Sequence, residues 1–168
     1  LVKRLLMPAL YNLSRDGLLG PGLRIVGVDH NAISDADFAK KLEDFIRTEA
    51  ASKVKGNADN ALDPQLWAQL ANGISYVKGD FLDDNTYTDI GTKIADSGTG
   101  NAVFYLATAP RFFSDVVQRL GSAGLLTETE HSFRRVVIEK PFGSDLATAE
   151  ALNASLLKVM SEKQIYRI

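Results

Sequence analysis

The residue in this chain best placed to do chemistry is Lys140, in the stretch "RRVVIEKPFG", residues 134–143. An ammonium that leaves an apolar run can anchor an anion or donate to a sugar ring oxygen. Pro141 restricts Lys140 to extended backbone, and a cis Lys140–Pro141 bond would aim the lysine sharply into a cleft. The competing reading is an exposed strand-end ion pair with Glu139, worth little. Asp29 closes a second run, "RIVGVD", residues 24–29. A carboxylate at such a strand end accepts hydrogen bonds from adenosine ribose hydroxyls in dinucleotide folds. It repels a 2′-phosphate, and His30 offsets that repulsion if protonated. The alternative is an Asx turn into "HNAIS". Asp80 and Phe81 follow a third run in "GDFLDD", a place that suits contact with adenine. A solvated turn with Asp83 or Asp84 as a helix-capping acid explains the same residues. Ala107 and Thr108 in "ATAP" are small enough for a ligand to approach the backbone, although Pro110 starting a helix accounts for that segment as well.

Other chemistries are poorly supplied. The chain has no cysteine, so disulfides, thiolate metal sites and thiol nucleophiles are out. His30 and His131 are its only histidines, which leaves a multi-histidine metal site unsupported and no metal expected. His131 reads as a loop residue, and Phe112 and Phe113 as core at a helix entry. With 19 Lys and Arg against 21 Asp and Glu, there is no basic footprint for nucleic acid. No apolar run approaches the roughly 20 residues of a membrane span. The amino-terminal stretch lacks the long apolar centre and cleavage site of a signal peptide. A cytoplasmic protein without membrane or nucleic-acid partners is expected.

The elements that must position these residues alternate. Strands are predicted near 25–29, 75–78, 102–107, 134–139 and 164–168, each apolar enough to be buried on both faces. Helices fall between them. The first spans Leu1 to Asp16, with Leu5, Leu6, Ala9, Leu10 and Leu13 at helical spacing, a late start or kink at Pro8 and a stop at Gly17. The second follows Ser34 as N-cap and carries Phe38, Leu42, Phe45 and Ile46 on its inner face. Others run from Pro64 to Ala71 with Trp67 and Leu70 inward, from Asn85 to Ala95, from Ser114 to Ala123, and from a Ser144 cap to about Glu162. Residues 54–62 read as loop. This pattern defines an α/β chain with a doubly wound parallel sheet, Rossmann-like. Such a fold opens with a strand and a Gly-rich turn. The sequence opens with a helix and has no G-x-G-x-x-G. The expectation is one dinucleotide-binding domain, residues 1–168, lacking its first strand and Gly-rich turn and cut again inside its last strand.

"EKPFG" at 139–143, "YLATAPRFF" at 105–113, "LLMPALYNL" at 5–13 and the terminal "IYRI" occur in the same order as in the coenzyme domain of the glucose-6-phosphate dehydrogenase family, which the chain resembles over nearly its whole length. The resemblance implies oxidation of glucose 6-phosphate to the 6-phosphoglucono-lactone with NADP, with NAD or dual use open. It implies that Lys140 touches both coenzyme and sugar phosphate, that Pro141 is a cis proline, and that Asp80 and Phe81 contact coenzyme. No catalytic residue is expected in this chain. The general-base histidine belongs just after Ile168, and the substrate domain follows it, so the chain alone is expected to be inactive. A homo-oligomer, dimer or tetramer, assembled through that second domain is also implied. His30 stands where many members have an arginine for the 2′-phosphate, and Leu5 where members have a lysine. Two rivals remain. A short-chain reductase or epimerase would place Lys four residues after a Tyr, and Tyr11, Tyr76, Tyr87 and Tyr105 lack it. A non-catalytic nucleotide-binding module is the other.

Overall fold

Apolar runs bounded by charge and glycine become five strands in two ladders, each internally parallel, with helices in the connections. The computed structural model describes residues 6–20, 22–53 and 62–168. The predicted helical positions up to Leu5 and most of the 54–62 loop lie outside them. The backbone divides into two compact units, one reaching Lys78 and one spanning Gly79–Ile168.

In the first unit, α1 covers Met7–Arg15, β1 Ile25–Asp29, α2 Asp35–Lys53, α3 Pro64–Ala71 and β2 Ile74–Lys78. Pro8 lies in the first turn of α1, where its missing N–H costs nothing. Leu18 N–H closes back on Leu13 O, so the helix ends at Gly17 as predicted. Ser34 Oγ accepts Asp37 N–H at 3.0 Å and caps α2. The two strands pair in parallel, with Ile25 opposite Ile74 and Asp29 opposite Lys78. The core joins Met7, Tyr11, Leu42, Ile46, Leu62, Trp67, Leu70 and Ile74. Phe38 and Phe45 are only half-buried. Tyr11 keeps its polar tip satisfied by accepting Asp63 N–H at 2.8 Å. Tyr11→Phe should therefore destabilise the protein by about 1–2 kcal/mol, because the half-buried amide loses its partner. A lower urea midpoint at an unchanged m-value is the expected reading.

In the second unit, α4 covers Asp84–Asp96, β3 Ala102–Leu106, α5 Phe113–Ser122, β4 Arg134–Ile138, α6 Leu146–Leu156 and β5 Ile165–Arg167. Short 3-10 turns at Pro110–Phe112 and Glu162–Gln164 lead into α5 and β5. The ladder order is β3-β4-β5, all parallel. Val117, Val136 and Leu156 are completely buried in its core, each burial of that size contributing about 1.5–3 kcal/mol. Gln164 is the polar exception. Its amide donates to Leu126 O and Arg134 O and accepts Ser161 N–H, which ties the β5 entry to β4.

The hydrogen-bonded ladders are β1-β2 and β3-β4-β5, each parallel, in keeping with the expected α/β chain. Two expectations change. Val103 is 57% exposed, so β3 is not covered on both faces along its length. The last helix starts after Asp145 and ends at Leu156. Asp145, not Ser144, is the cap, because its carboxylate accepts Thr148 N–H at 2.8 Å while Thr148 Oγ1 accepts Asp145 N–H.

Candidate coenzyme site

In parallel sheets, ligands gather beyond the carboxyl ends of the strands, and that is where both units hold their candidate residues. In the first unit, Asp29 Oδ1 accepts His30 N–H at 2.7 Å and lies 2.6 Å from the His30 ring Nδ1. The predicted Asx turn is thus replaced by a contact with the adjacent residue. Tyr76 fixes this corner. Its hydroxyl donates to Asn31 O at 2.6 Å, with Asp29 O at 3.2 Å. Its own N–H donates to Asp35 at the start of α2. Burial, with a smaller contribution from the Asp29 charge, pushes the Tyr76 phenol upward, so the donor stays protonated. Asp29 and His30 remain half or more exposed, a carboxylate and an imidazole held side by side on a braced turn.

In the second unit, Asp80 does what the bland reading expected. Its carboxylate accepts Leu82 N–H at 2.8 Å, and its carbonyl accepts the Thr86 hydroxyl. Asp83 caps α4 through Asn85 N–H, as foreseen. Phe81 is half-buried. Its carbonyl takes the buried Tyr87 hydroxyl at 2.8 Å, and its ring tilts against Phe112 at 6.2 Å. Ala107 and Thr108 follow β3, and Pro110 does begin the next helical turn. Phe113 is 1% exposed, confirming helix-entry core, with Phe112 half-buried beside it.

The register Leu106↔Ile138 sets Ala107–Thr108 beside Glu139–Lys140. The Lys140–Pro141 peptide is cis. The Glu139–Lys140 ion pair does not form. Glu139 instead accepts the hydroxyl of Tyr105, two positions back in register on the neighbouring strand. Burial first, then the hydrogen bond and charge of Glu139, push the Tyr105 phenol up to about 12. Lys140 is exposed, and among the described residues of its unit it has neither ion pair nor hydrogen bond. On its other side Phe142 packs against the core, with the Arg167 guanidinium 4.9 Å from its ring centre. Arg167 is held in turn by Glu162 at 2.6 Å and by Asn153. Tyr105 and Arg167 escaped sequence reading as site residues. The only signal for Tyr105 was its parity with Glu139 once β3 and β4 are taken as neighbours. His131 lies elsewhere, in a hollow of about 380 Å³ with Asn101, Glu128 and Arg135 before the amino ends of β3 and β4. Among the described residues, no His, Cys, Asp and Glu group could hold a metal, and no helix is long and apolar enough to cross a membrane.

Parallel strands joined by helices define an α/β protein of Rossmann-like type. The chain belongs to the glucose-6-phosphate dehydrogenase family: the family model "Glucose-6-phosphate dehydrogenase, NAD binding domain" matches residues 1–168. Glucose-6-phosphate 1-dehydrogenase 2 of Mycobacterium tuberculosis is 34% identical over the whole chain. Glucose-6-phosphate 1-dehydrogenase of Mycolicibacterium smegmatis is 36% identical. In each case the chain spans 32% of the relative's length. The crystal structure of the Mycobacterium avium glucose-6-phosphate 1-dehydrogenase matches 99% of this chain and 33% of that one, with TM-score 0.81 and 32% identity. A glucose-6-phosphate dehydrogenase solved in complex with its substrate glucose-6-phosphate gives TM-score 0.78 at 29% identity.

Proposed function

We propose that the full-length protein carrying this chain oxidises D-glucose 6-phosphate to 6-phosphoglucono-1,5-lactone, the first step of the pentose phosphate pathway, in the cytoplasm. The observation that carries this reading is the family match over all 168 residues, which includes the strand-end lysine at position 140. The bound coenzyme, NADP with NAD also accepted, supplies the nicotinamide carbon that receives the hydride. The residues present suit such a group. Lys140 offers an ammonium with no partner among the described residues of its unit, so it can bind the sugar phosphate substrate and contact the coenzyme. Ala107 and Thr108 leave the backbone beside it approachable, and Pro141 closes the turn that carries it. Phe81 offers an apolar face and Asp80 shapes the loop behind it. Asp29 accepts from the adenosine ribose hydroxyls. The proton leaving the sugar hydroxyl goes to a histidine outside this chain, in keeping with the resemblance, and a homo-oligomer forms through the rest of the protein.

Coenzyme choice turns on Asp29 and His30. A carboxylate repels a 2′-phosphate, while the adjacent imidazole can offer it a donor, a balance that favours dual use. Asp29→Asn should raise the ratio of kcat/KM for NADP over NAD about tenfold, since it removes one like charge worth about 1.4 kcal/mol at close range. Steady-state assays of the full-length protein with each coenzyme decide this. An unchanged ratio would remove Asp29 from the site, and no reduction of either coenzyme by glucose 6-phosphate would sink the activity itself.

A further inference from the structure

Glu139 and Lys140 are adjacent and oppositely charged, yet they do not pair. The neighbouring strand supplies a reason. The Tyr105 hydroxyl donates to Glu139 Oε1 across the β3–β4 ladder. Tyr105 opposes Val137 in that ladder, so its side chain and that of Glu139 lie on the same face, two residues apart along the sheet. Glu139 is half-buried, and a half-buried carboxylate takes the nearest donor. With its pKa near 12, the phenol is a donor at every physiological pH. If that donor were removed, the Glu139 carboxylate would be left to find another, and the Lys140 ammonium is the charged donor one residue away in sequence.

We propose that Tyr105 is a positioning residue for the reaction: by holding the Glu139 carboxylate on the sheet, it keeps Lys140 unpaired and available to an anionic ligand. The proposal rests on the reading that Lys140 binds the sugar phosphate. Tyr105 touches neither reactant. It acts by denying Lys140 an internal partner, a form of negative selection within a single turn. The Arg167 guanidinium packs over Phe142 on the other side of Lys140.

The test uses the full-length protein. In Tyr105→Phe, KM for glucose 6-phosphate should rise about fivefold with kcat less affected, the scale of one exposed ion pair newly competing for Lys140. On a Glu139→Gln background, where no carboxylate remains to turn on Lys140, adding Tyr105→Phe should change KM by less than about twofold. A role in stability alone would lower the melting temperature and leave KM where it was, and that outcome overturns the proposal. A crystal structure of Tyr105→Phe gives a second arm: Glu139 paired with Lys140 supports the idea, and Glu139 turned to solvent refutes it. Lys140→Ala is measured in parallel. If it loses activity while Tyr105→Phe keeps its KM, only the positioning role fails. If Lys140→Ala itself keeps full activity, the functional reading fails and takes this proposal with it.

Discussion

Lys140→Ala in the full-length protein should cut kcat/KM for glucose 6-phosphate by about 100-fold or more, the usual scale for removing a donor that serves the transition state. The melting temperature should move by no more than a degree or two. Both halves of that expectation follow from the same geometry. Lys140 is exposed and has no bond within its unit, so no interaction of that unit is lost with it. Surface changes of that kind usually stay within about 0.5 kcal/mol. An ammonium without a partner in its own unit also keeps its binding capacity for a ligand. Its neighbours show the opposite pattern. Glu139 is tied to Tyr105, and Phe142 is packed under Arg167. Two side chains beside the lysine are committed and the lysine is not. Lys140→Arg keeps the charge but spreads it over a planar fork, so it should recover binding of the sugar phosphate better than turnover. Thermal melts beside steady-state kinetics check all of this. A variant that lost stability and kept its kcat/KM would restore the strand-end ion pair as the better account of "EKPFG".

Much of this arrangement was legible in the sequence because buried parallel strands announce themselves as short apolar runs with abrupt ends. The run "RIVGVD" became β1 at Ile25–Asp29, and "AVFYLAT" became β3 at Ala102–Leu106. Once strand ends are known, the parallel α/β rule alone selects Asp29, Asp80, Thr108 and Lys140 for inspection. Three things were not legible, each for a physical reason. The end of the helix after Ser144 is hidden because Leu156 and Met160 sit four residues apart, at helical spacing, although only Leu156 lies within the helix. The chain in fact leaves the helix at Leu156 and returns Met160 to the core from a turn. Asp145 captured the cap because its carboxylate and Thr148 satisfy each other reciprocally, a pairing that outcompetes a lone serine hydroxyl. The Tyr105–Glu139 bond joins residues 34 positions apart. It depends on which strands are neighbours and in what register, and periodicity within a strand carries neither.

Gly143→Ala is expected to be the most destabilising single-methyl change in the turn that carries Lys140. Gly143 has φ of +81°, and a Cβ there would lie 2.5 Å from Ala149 N and 2.7 Å from Ala149 Cα. Those atoms belong to the first turn of α6, which is fixed by the Asp145–Thr148 capping box, so the obstacle is backbone and cannot swing aside. The left-handed conformation alone costs a non-glycine residue about 1–2 kcal/mol, and the clash adds a comparable amount, for about 3 kcal/mol in all. In a unit the size of Gly79–Ile168 that lowers the melting temperature by roughly 12–24 °C. Gly124 separates the two contributions. It shares the positive φ, at +71°, but has nothing within 4 Å of its Cβ position. Gly124→Ala should therefore show the conformational cost alone, about 1–2 kcal/mol. The relief of the clash has a direction as well. Since α6 is capped and packed, the yielding segment is Lys140–Phe142, and the lysine moves with it. Gly143→Ala should accordingly raise KM for glucose 6-phosphate at temperatures where the variant is still fully folded, whereas Gly124→Ala should leave KM alone. Equal losses of stability in the two variants would show that the close approach of Gly143 to α6 contributes nothing, and that the turn is held by Phe142 and Glu139 alone.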